Sequence, residues 1–314
     1  NSIENWAVKG VVFTGSRGIS STRTPGYFAP KAPVTRGELA VMLAKWLQFN
    51  RKSMVPVLTY HHVVREGEAI PQGAATIGEK AFASQMQLLV SQGYHTITTD
   101  QLENFLSRGI PLPEKPVMVT FDDGYRSNYN VAFPIMKRLG IKGVINVVVS
   151  STPGENAERS DIDPVARLEH LTWQQMQEMV NSGLIEIQSH TYNSHGMVRG
   201  LGGKPGPTLI TRRLLPAGRL ETAAEYQARI TQDLTKARLT LEKHLGMRVT
   251  ALAYPYGSCN ADTDKAARAA GYTMTFSSVR GLVGKGDSLR TIKRINVAVQ
   301  DDLAAFQKKL LSGS

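Results

Sequence analysis

The chain has 314 residues, 41% of them hydrophobic and 20% charged, with a net charge of +11. This is enough for one large domain and a small companion, and no apolar run approaches the ~20 residues that a membrane-crossing helix needs. A single cysteine, Cys259, excludes an internal disulfide and a thiolate metal cluster. The positive charge favours anionic partners, but no zinc-finger spacing or RNA-binding aromatic signature accompanies it, so nucleic acid is not an expected partner. The opening "NSIENW" has neither Met nor a secretory leader and reads as a processed or truncated start.

Residues 1–50 differ in character from the rest of the chain. A helix-like "ENWAVKGVVF" leads into the Gly/Ser/Thr-rich "TGSRGISSTRTPG" and then "YFAPKAPVTRGELAVMLAKWLQF". Thr35 is an expected N-cap with Glu38 as its capping-box partner, and Leu39, Val41, Met42, Leu43, Trp46 and Leu47 follow at helical spacing. A two-helix adornment of the main domain accounts for these features. The order Trp6, Gly18-Ile19, Phe28-x-Pro30 and "VTRGELAVMLAKWL" also resembles one S-layer homology repeat. That resemblance implies a small helical segment binding an anionic cell-wall polymer, with Arg36 at the sugar acid. Such repeats usually come in threes, and here there is one.

From residue 54 to 314 strands and helices alternate. "VPVLTYHHV" reads as a buried strand, 80–92 and 100–108 as helices, 115–121 as a strand, 126–139 as a helix and 143–149 as a strand. Helix 172–182, strand 184–189 and a long helix 221–245 come next. Strand 249–254, helix 261–270, strand 272–278, the segment "TIKRINV" and a closing helix 301–311 complete the series. Such alternation builds parallel βαβ units. With about seven units, no dinucleotide glycine fingerprint and no P-loop, a (β/α) barrel is the expected fold, its chemistry at the C-terminal strand ends.

Four strand ends hold most of the residues capable of chemistry: "TYHH" (59–62), "TFDDG" (120–124), "QSHTYNSH" (188–195) and "AYPYG" (253–257). Adjacent Asp122 and Asp123 repel each other and call for a compensating cation, unless they are simply a polar turn after a strand. His190 and His195 by themselves are most simply polar loop. Joined by a carboxylate from another strand end, they make a three-ligand metal site with open positions for water. One aspartate then ligates while its ionised neighbour serves as a base. His95, His170 and His244 fall in helix flanks or loops and are expected at the surface. The basic Gly/Pro-bearing stretch 197–219 either walls a groove or is solvated. Cys259 is expected to pack rather than to act as a catalytic thiol.

"TFDDGY", "SHTYNSH" and "YPYG", in this order, resemble the polysaccharide deacetylases of carbohydrate esterase family 4, the NodB homology group, from about residue 54 to 310. The resemblance implies a distorted (β/α) barrel and metal-dependent removal of acetyl groups from N-acetylglucosamine polymers. It implies Asp122 as base and Asp123, His190 and His195 as ligands of one divalent metal: zinc first, with cobalt, nickel or iron(II) as alternatives. The Tyr256 backbone N–H would then bind the oxyanion.

Three departures from the commonest family pattern stand out. The histidines are spaced His-x4-His rather than His-x3-His, Tyr254 stands where an Arg usually precedes Pro-Tyr, and "TIKRINV" replaces a late Leu-x-His. Together with "LTYHHV" these resemble the subgroup acting on poly-β-1,6-N-acetylglucosamine, which implies His61 as general acid. Arg294 or Lys293 is then expected to hold Asp122 in place of the missing Arg. His62 is expected to point to the other side of its strand. The alternatives are the same chemistry on peptidoglycan or chitin oligomers, or an inactive wall-binding protein, against which the intact Asp/His set argues. A bacterial extracellular or wall-associated location is expected, with the signal peptide already removed.

Overall fold

The structure, a computed structural model, describes residues 35–36, 38–43, 54–69, 75–155, 168–297 and 300–313. The chain divides into two units, Asn1–Met54 and Val55–Ser314. In the first, the expected capping box is present: the Thr35 hydroxyl accepts from the Glu38 N–H at 3.2 Å, and Glu38 Oε2 accepts from the Thr35 N–H at 2.9 Å. The other residues of the S-layer-like pattern, Trp6, Gly18, Ile19, Phe28, Pro30, Trp46 and Leu47, lie outside the described residues.

The second unit runs β1 (Val57–Tyr60), β2 (His62–Val64), β3 (Thr76–Gly78), α1 (Glu79–Ser91), β4 (His95–Thr96), α2 (Thr99–Arg108), β5 (Pro116–Phe121), α3 (Phe133–Leu139) and β6 (Gly143–Val147). It continues with α4 (Trp173–Asn181), β7 (Ile185–Ser189), β8 (Met197–Arg199), β9 (Pro205–Pro207), α5 (Ala223–Leu245), β10 (Ala251–Ala253), α6 (Ala261–Ala269), β11 (Met274–Phe276), β12 (Ile295–Asn296) and α7 (Leu303–Ser312). Local chemistry marks several helix starts. Thr98 with Gln101, Thr172 with Gln175 and Thr222 with Glu225 each close a reciprocal capping box.

Seven strands in the order β11-β10-β7-β6-β5-β1-β12 form a curled parallel sheet, a half-barrel, with β4 added beside β5. Parallel strands covered on both faces are apolar throughout, and all six residues of β5 are buried. Successive residues serve different cores. Leu58, Val117, Val119 and Ile145 join the large cluster under the helices, while Val57, Met118, Val144, Ala253 and Phe276 fill a second cluster. The β7–β10 seam pairs only at Leu252 and Ser189. Gln188 Oε1 covers the gap by accepting from the Thr250 and Ala251 N–H groups at 3.0 and 2.9 Å.

Three expectations are corrected, and one open alternative, that for 197–219, is narrowed. The strand read in "VPVLTYHHV" breaks at His61: β1 lies between β5 and β12, whereas β2 leaves to pair with β3 in a separate two-stranded sheet. The helix expected over 126–139 opens as a wide π-turn, Asn128–Ala132, ahead of α3. Pro134, near the start of α3, has no N–H to give the preceding turn. His170 is buried against the Tyr125 ring, 5.2 Å between centroids, rather than at the surface. The stretch 197–219 contributes no lining to the cavity at the C-terminal strand ends. It folds as the β8–β9 hairpin and a following turn, held by Arg229 through the Thr208 and Thr211 carbonyls at 3.0 and 2.8 Å.

Candidate metal centre and active site

Register brings the site together. Tyr60 pairs with Phe121 on one side of β1, and Leu58 pairs with Ile295 on the other. Asp122, just past β5, and Arg294, just before β12, therefore flank β1 at different levels, beside His61 and Val57, and the long guanidinium side chain spans the offset although 172 positions separate the two residues. Arg294 Nη1 and Nη2 donate to Asp122 Oδ1 and Oδ2 at 2.8 and 2.7 Å, a two-point charge-assisted pair between buried groups. Asn146, on β6, donates a further bond to Asp122 Oδ1 at 2.8 Å. Burial alone would raise this carboxyl; Arg294, with His190 and His61 near it, holds it well below the usual range. Lys293 instead pairs with Asp287 at 3.0 Å.

Asp123 has different partners. Its Oδ1 lies 3.4 Å from His190 Nε2 and 3.2 Å from His195 Nε2, and all three residues are buried. Burial pushes the Asp123 carboxyl up, and the bonds from His190 and His195 bring it well below its ordinary value. His190 Nδ1 lies 2.8 Å from the Ala253 carbonyl. A bond donated there fixes the ring so that Nε2 points to the space it shares with Asp123 and His195, the orientation a metal-binding imidazole needs once that nitrogen is deprotonated.

The donor set fits a divalent cation. Two imidazole nitrogens and one carboxylate oxygen lie within 4.8 Å of one another, the one such cluster of His, Cys, Asp or Glu among the described residues. A tetrahedral metal with bonds of ~2.0–2.2 Å requires donors separated by roughly 3.3–3.6 Å. The His190–Asp123 separation of 3.4 Å matches that edge, and the His195–Asp123 separation of 3.2 Å falls just short of it. Three protein ligands leave a fourth position open, as in hydrolytic rather than structural sites.

Backbone strain concentrates at the same place. Asp123, Thr191 and Tyr256 have φ of 73°, 79° and 58°. For β-branched Thr191 this is a true outlier, of a kind that persists only where surroundings over-determine it. Tyr256 is 41% exposed, and its hydroxyl donates to the His195 carbonyl at 2.7 Å.

A cavity of about 430 Å³ opens above these groups, lined by His61, Asp122, Asp123, Tyr125, His190, His195, Tyr256 and Arg294, with Thr59, Arg280 and Asn296 among others. His61, Asp122, Asp123, His190, His195 and Tyr256 all reach this cavity, and of Arg294 and Lys293 only Arg294 does. His61 is half-buried there; desolvation lowers its pKa while Asp123 and Asp122 act to raise it. His62 points elsewhere, Nδ1 lying 2.8 Å from Ser127 Oγ; the cause is the break at His61, after which β2 leaves to pair with β3. Cys259 does not line the cavity, and burial pushes its thiol up, away from nucleophilic character. A larger groove of about 1180 Å³ along α5 offers Ala, Thr, Gln and Lys with one carboxylate, Asp262, and no imidazole. Sequence reasoning did not single out Asn146 or Asp233, which supports the His190–His195 loop. For Asn146 a signal was present, an amide inside the apolar run "GVINVVV".

A parallel half-barrel with an Asp-His-His triad and a separately held aspartate at its strand ends is the architecture of a metal-dependent polysaccharide deacetylase. The polysaccharide deacetylase family model matches residues 109–275, more than half of the sequence, and the chain belongs to that family. The poly-β-1,6-N-acetyl-D-glucosamine N-deacetylase of Escherichia coli strain K12 is 32% identical over 81% of this chain, but the match covers only 38% of that protein's length. Among solved structures, a de-N-acetylase from Aggregatibacter actinomycetemcomitans aligns with a TM-score of 0.71 and 28% identity, covering 81% of this chain and 99% of that one. The BpsB deacetylase domain from Bordetella bronchiseptica aligns at 0.67 and 29%, covering 78% and 96%.

Proposed function

We propose that this chain removes N-acetyl groups from an N-acetylglucosamine polymer, most favourably poly-β-1,6-N-acetylglucosamine, which the relatives' names specify. The observation that carries the reading is the divergence of two neighbouring carboxylates. Asp123 faces two imidazoles, while Asp122 is held by a guanidinium and an amide. One is arranged to ligate and the other is kept free of that task.

An N-acetyl amide is a poor electrophile, and its amine departs only when protonated. Asp123, His190 and His195 would hold one divalent metal, zinc by preference; bound, it supplies Lewis acidity toward a carbonyl oxygen and acidifies water. Asp122 accepts the proton of the attacking water. Arg294 keeps that carboxylate ionised throughout the physiological range and fixes its direction, at some cost in basicity. The Tyr256 backbone N–H binds the oxyanion, a contact worth ~3 kcal/mol. His61 protonates the departing nitrogen. Burial works against its charged form, so its protonation depends on Asp123 and Asp122 nearby.

Attachment to an anionic wall polymer through residues 1–50, and an extracellular or wall-associated location, belong to the same proposal. They rest on the S-layer-like sequence pattern, of which Arg36 is exposed. Among the described residues no helix is long and apolar enough to cross a membrane. The deciding experiment measures acetate release from β-1,6- and β-1,4-linked N-acetylglucosamine oligomers, with and without chelator. Faster, chelator-sensitive release from the β-1,6 series is expected; the reverse linkage preference or chelator-insensitive release overturns the proposal.

A further inference from the structure

We propose that Asp233, on α5, is a positioning residue that holds the loop between His190 and His195 in its ligating shape before any cation arrives. The inference rests on the reading of Asp123, His190 and His195 as metal ligands. It concerns how the chain keeps two of them in place.

Four residues separate the two histidines, and the first, Thr191, carries φ 79°. A β-branched residue in that region is strained, so the loop would relax unless fixed from outside. The fixing comes largely from one side chain. Asp233 Oδ2 accepts from the Tyr192 N–H at 3.0 Å, and Oδ1 accepts from the Asn193 N–H at 2.8 Å. Two consecutive backbone donors thus converge on one carboxylate, the geometry of an anion-binding nest filled from within the chain. The Ser194 side chain adds a third bond.

The rest of the loop is braced around this clamp. Lys236, one turn along α5, lies 3.7 Å from the Tyr192 ring centroid, and the Tyr192 hydroxyl donates to Glu155 Oε2 at 3.0 Å. The Thr191 and Tyr192 carbonyls accept from the Val149 and Ser150 N–H groups at 3.1 and 2.8 Å. Asp233 is half-buried beside the stripe Tyr226, Ile230, Leu234, Ala237 and Leu241, with both carboxylate oxygens taken up by the loop. Burial lifts its carboxyl above the ordinary range, and the Asn193 and Tyr192 N–H groups, Ser194 and Arg229 work against that lift. A carboxylate retained in such a place needs partners of this kind. Its partners are the two residues midway between the histidines.

The test needs no turnover. Zn²⁺ and Co²⁺ are titrated into the chelator-stripped full chain as wild type, Asp233→Asn and Leu241→Ala. Asp233→Asn is isosteric but turns an amide NH₂ toward one of the two backbone donors. Its affinity for both metals is expected to fall about tenfold or more, with an altered Co²⁺ ligand-field spectrum. Leu241→Ala removes core packing on the same helix and is expected to lower Tm with metal affinity unchanged within about twofold. Wild-type affinity in Asp233→Asn, or an equal loss in Leu241→Ala, overturns the proposal. Should Asp233→Asn not fold, hydrogen exchange of the stripped wild type decides. The Tyr192 and Asn193 amides are expected to stay protected without metal, and exchange at exposed-amide rates sinks the idea. Because these readouts ignore substrate, failure of the deacetylase reading and failure of this one are separable.

Discussion

The two ends of the same sheet each enclose a carboxylate, and they treat it in opposite ways. Glu186, on β7 toward the N-terminal end, accepts from the Thr99 N–H and hydroxyl at the first turn of α2, and burial raises its pKa. Asp122, at the C-terminal end of β5, is more deeply enclosed than the half-buried Glu186 but meets Arg294, and its pKa falls. Burial alone therefore does not mark a working acid. What distinguishes the upper end is a fixed cation, strained backbone at Asp123 and Thr191, and an open cavity above. The lower end offers its carboxylate a helix N-terminus, with Lys142 in its field but no bidentate guanidinium, and opens no such cavity over it.

The strongest way to break this contrast is at the ligands. His190→Ala is expected to abolish stoichiometric metal, measured by elemental analysis, together with detectable acetate release, while circular dichroism stays native. Full metal occupancy in the variant removes His190 from the site. Asp122→Asn is expected next, with metal retained and turnover down by ~10²–10⁴, because the water's proton loses its acceptor. Loss of metal in that variant would mean the two aspartates exchange roles. His61→Ala belongs beside it, with a larger loss on N-acetyl substrates than on an activated acetate ester whose leaving group needs no proton. Equal losses on amide and ester would end the general-acid assignment.

How far the site could be read in advance depends on what each residue needs. Asp122, Asp123, His190 and His195 were legible because metal chemistry demands those residue types at strand ends, whatever the exact fold. Arg294 was legible only as one of a pair with Lys293, because the choice depends on side-chain alternation at the entry to β12. Asp233 was not legible at all, since an acid beside a helical apolar stripe looks like a solvated edge until the loop above it is known. The break at His61 was hidden for a related reason. A continuous apolar run shows burial but not the change of partner from β5 and β12 to β3. The parallel half-barrel itself was plain from strand–helix alternation, since each βαβ unit announces itself locally.

Arg294→Met sharpens the contrast through stability. Asp122 has a depressed pKa, so its pairing stabilises the fold above the unfolded value of ~3.9 and is lost as pH falls through the folded value. Removing the guanidinium leaves a buried unpaired carboxylate, expected to cost ~3–5 kcal/mol at pH 7. Without the guanidinium, burial raises the Asp122 carboxyl, so by about pH 4 it is protonated in the variant and the gap to wild type has narrowed. Denaturant titrations at pH 7 and pH 4 check this. A gap that widens in acid would show that Arg294 does not govern Asp122.

At the other end of the sheet the same logic yields the smallest effect. Glu186 has a raised pKa, so its contribution is favourable at low pH and is lost as pH rises through the folded value, the reverse of Asp122. Glu186→Gln keeps an acceptor for the Thr99 N–H and hydroxyl while removing the charge that burial disfavours. Stability at pH 7 is therefore expected to change by less than ~1 kcal/mol, with the variant gaining on wild type as pH rises. Acetate release is expected to be unchanged, because no bond links Glu186 to the cavity. Thermal melts at pH 4 and pH 8 with a parallel activity assay test both halves. If Glu186→Gln slows turnover as Asp122→Asn does, the division of labour between the two ends of the sheet is wrong, and the lower carboxylate belongs to the chemistry after all.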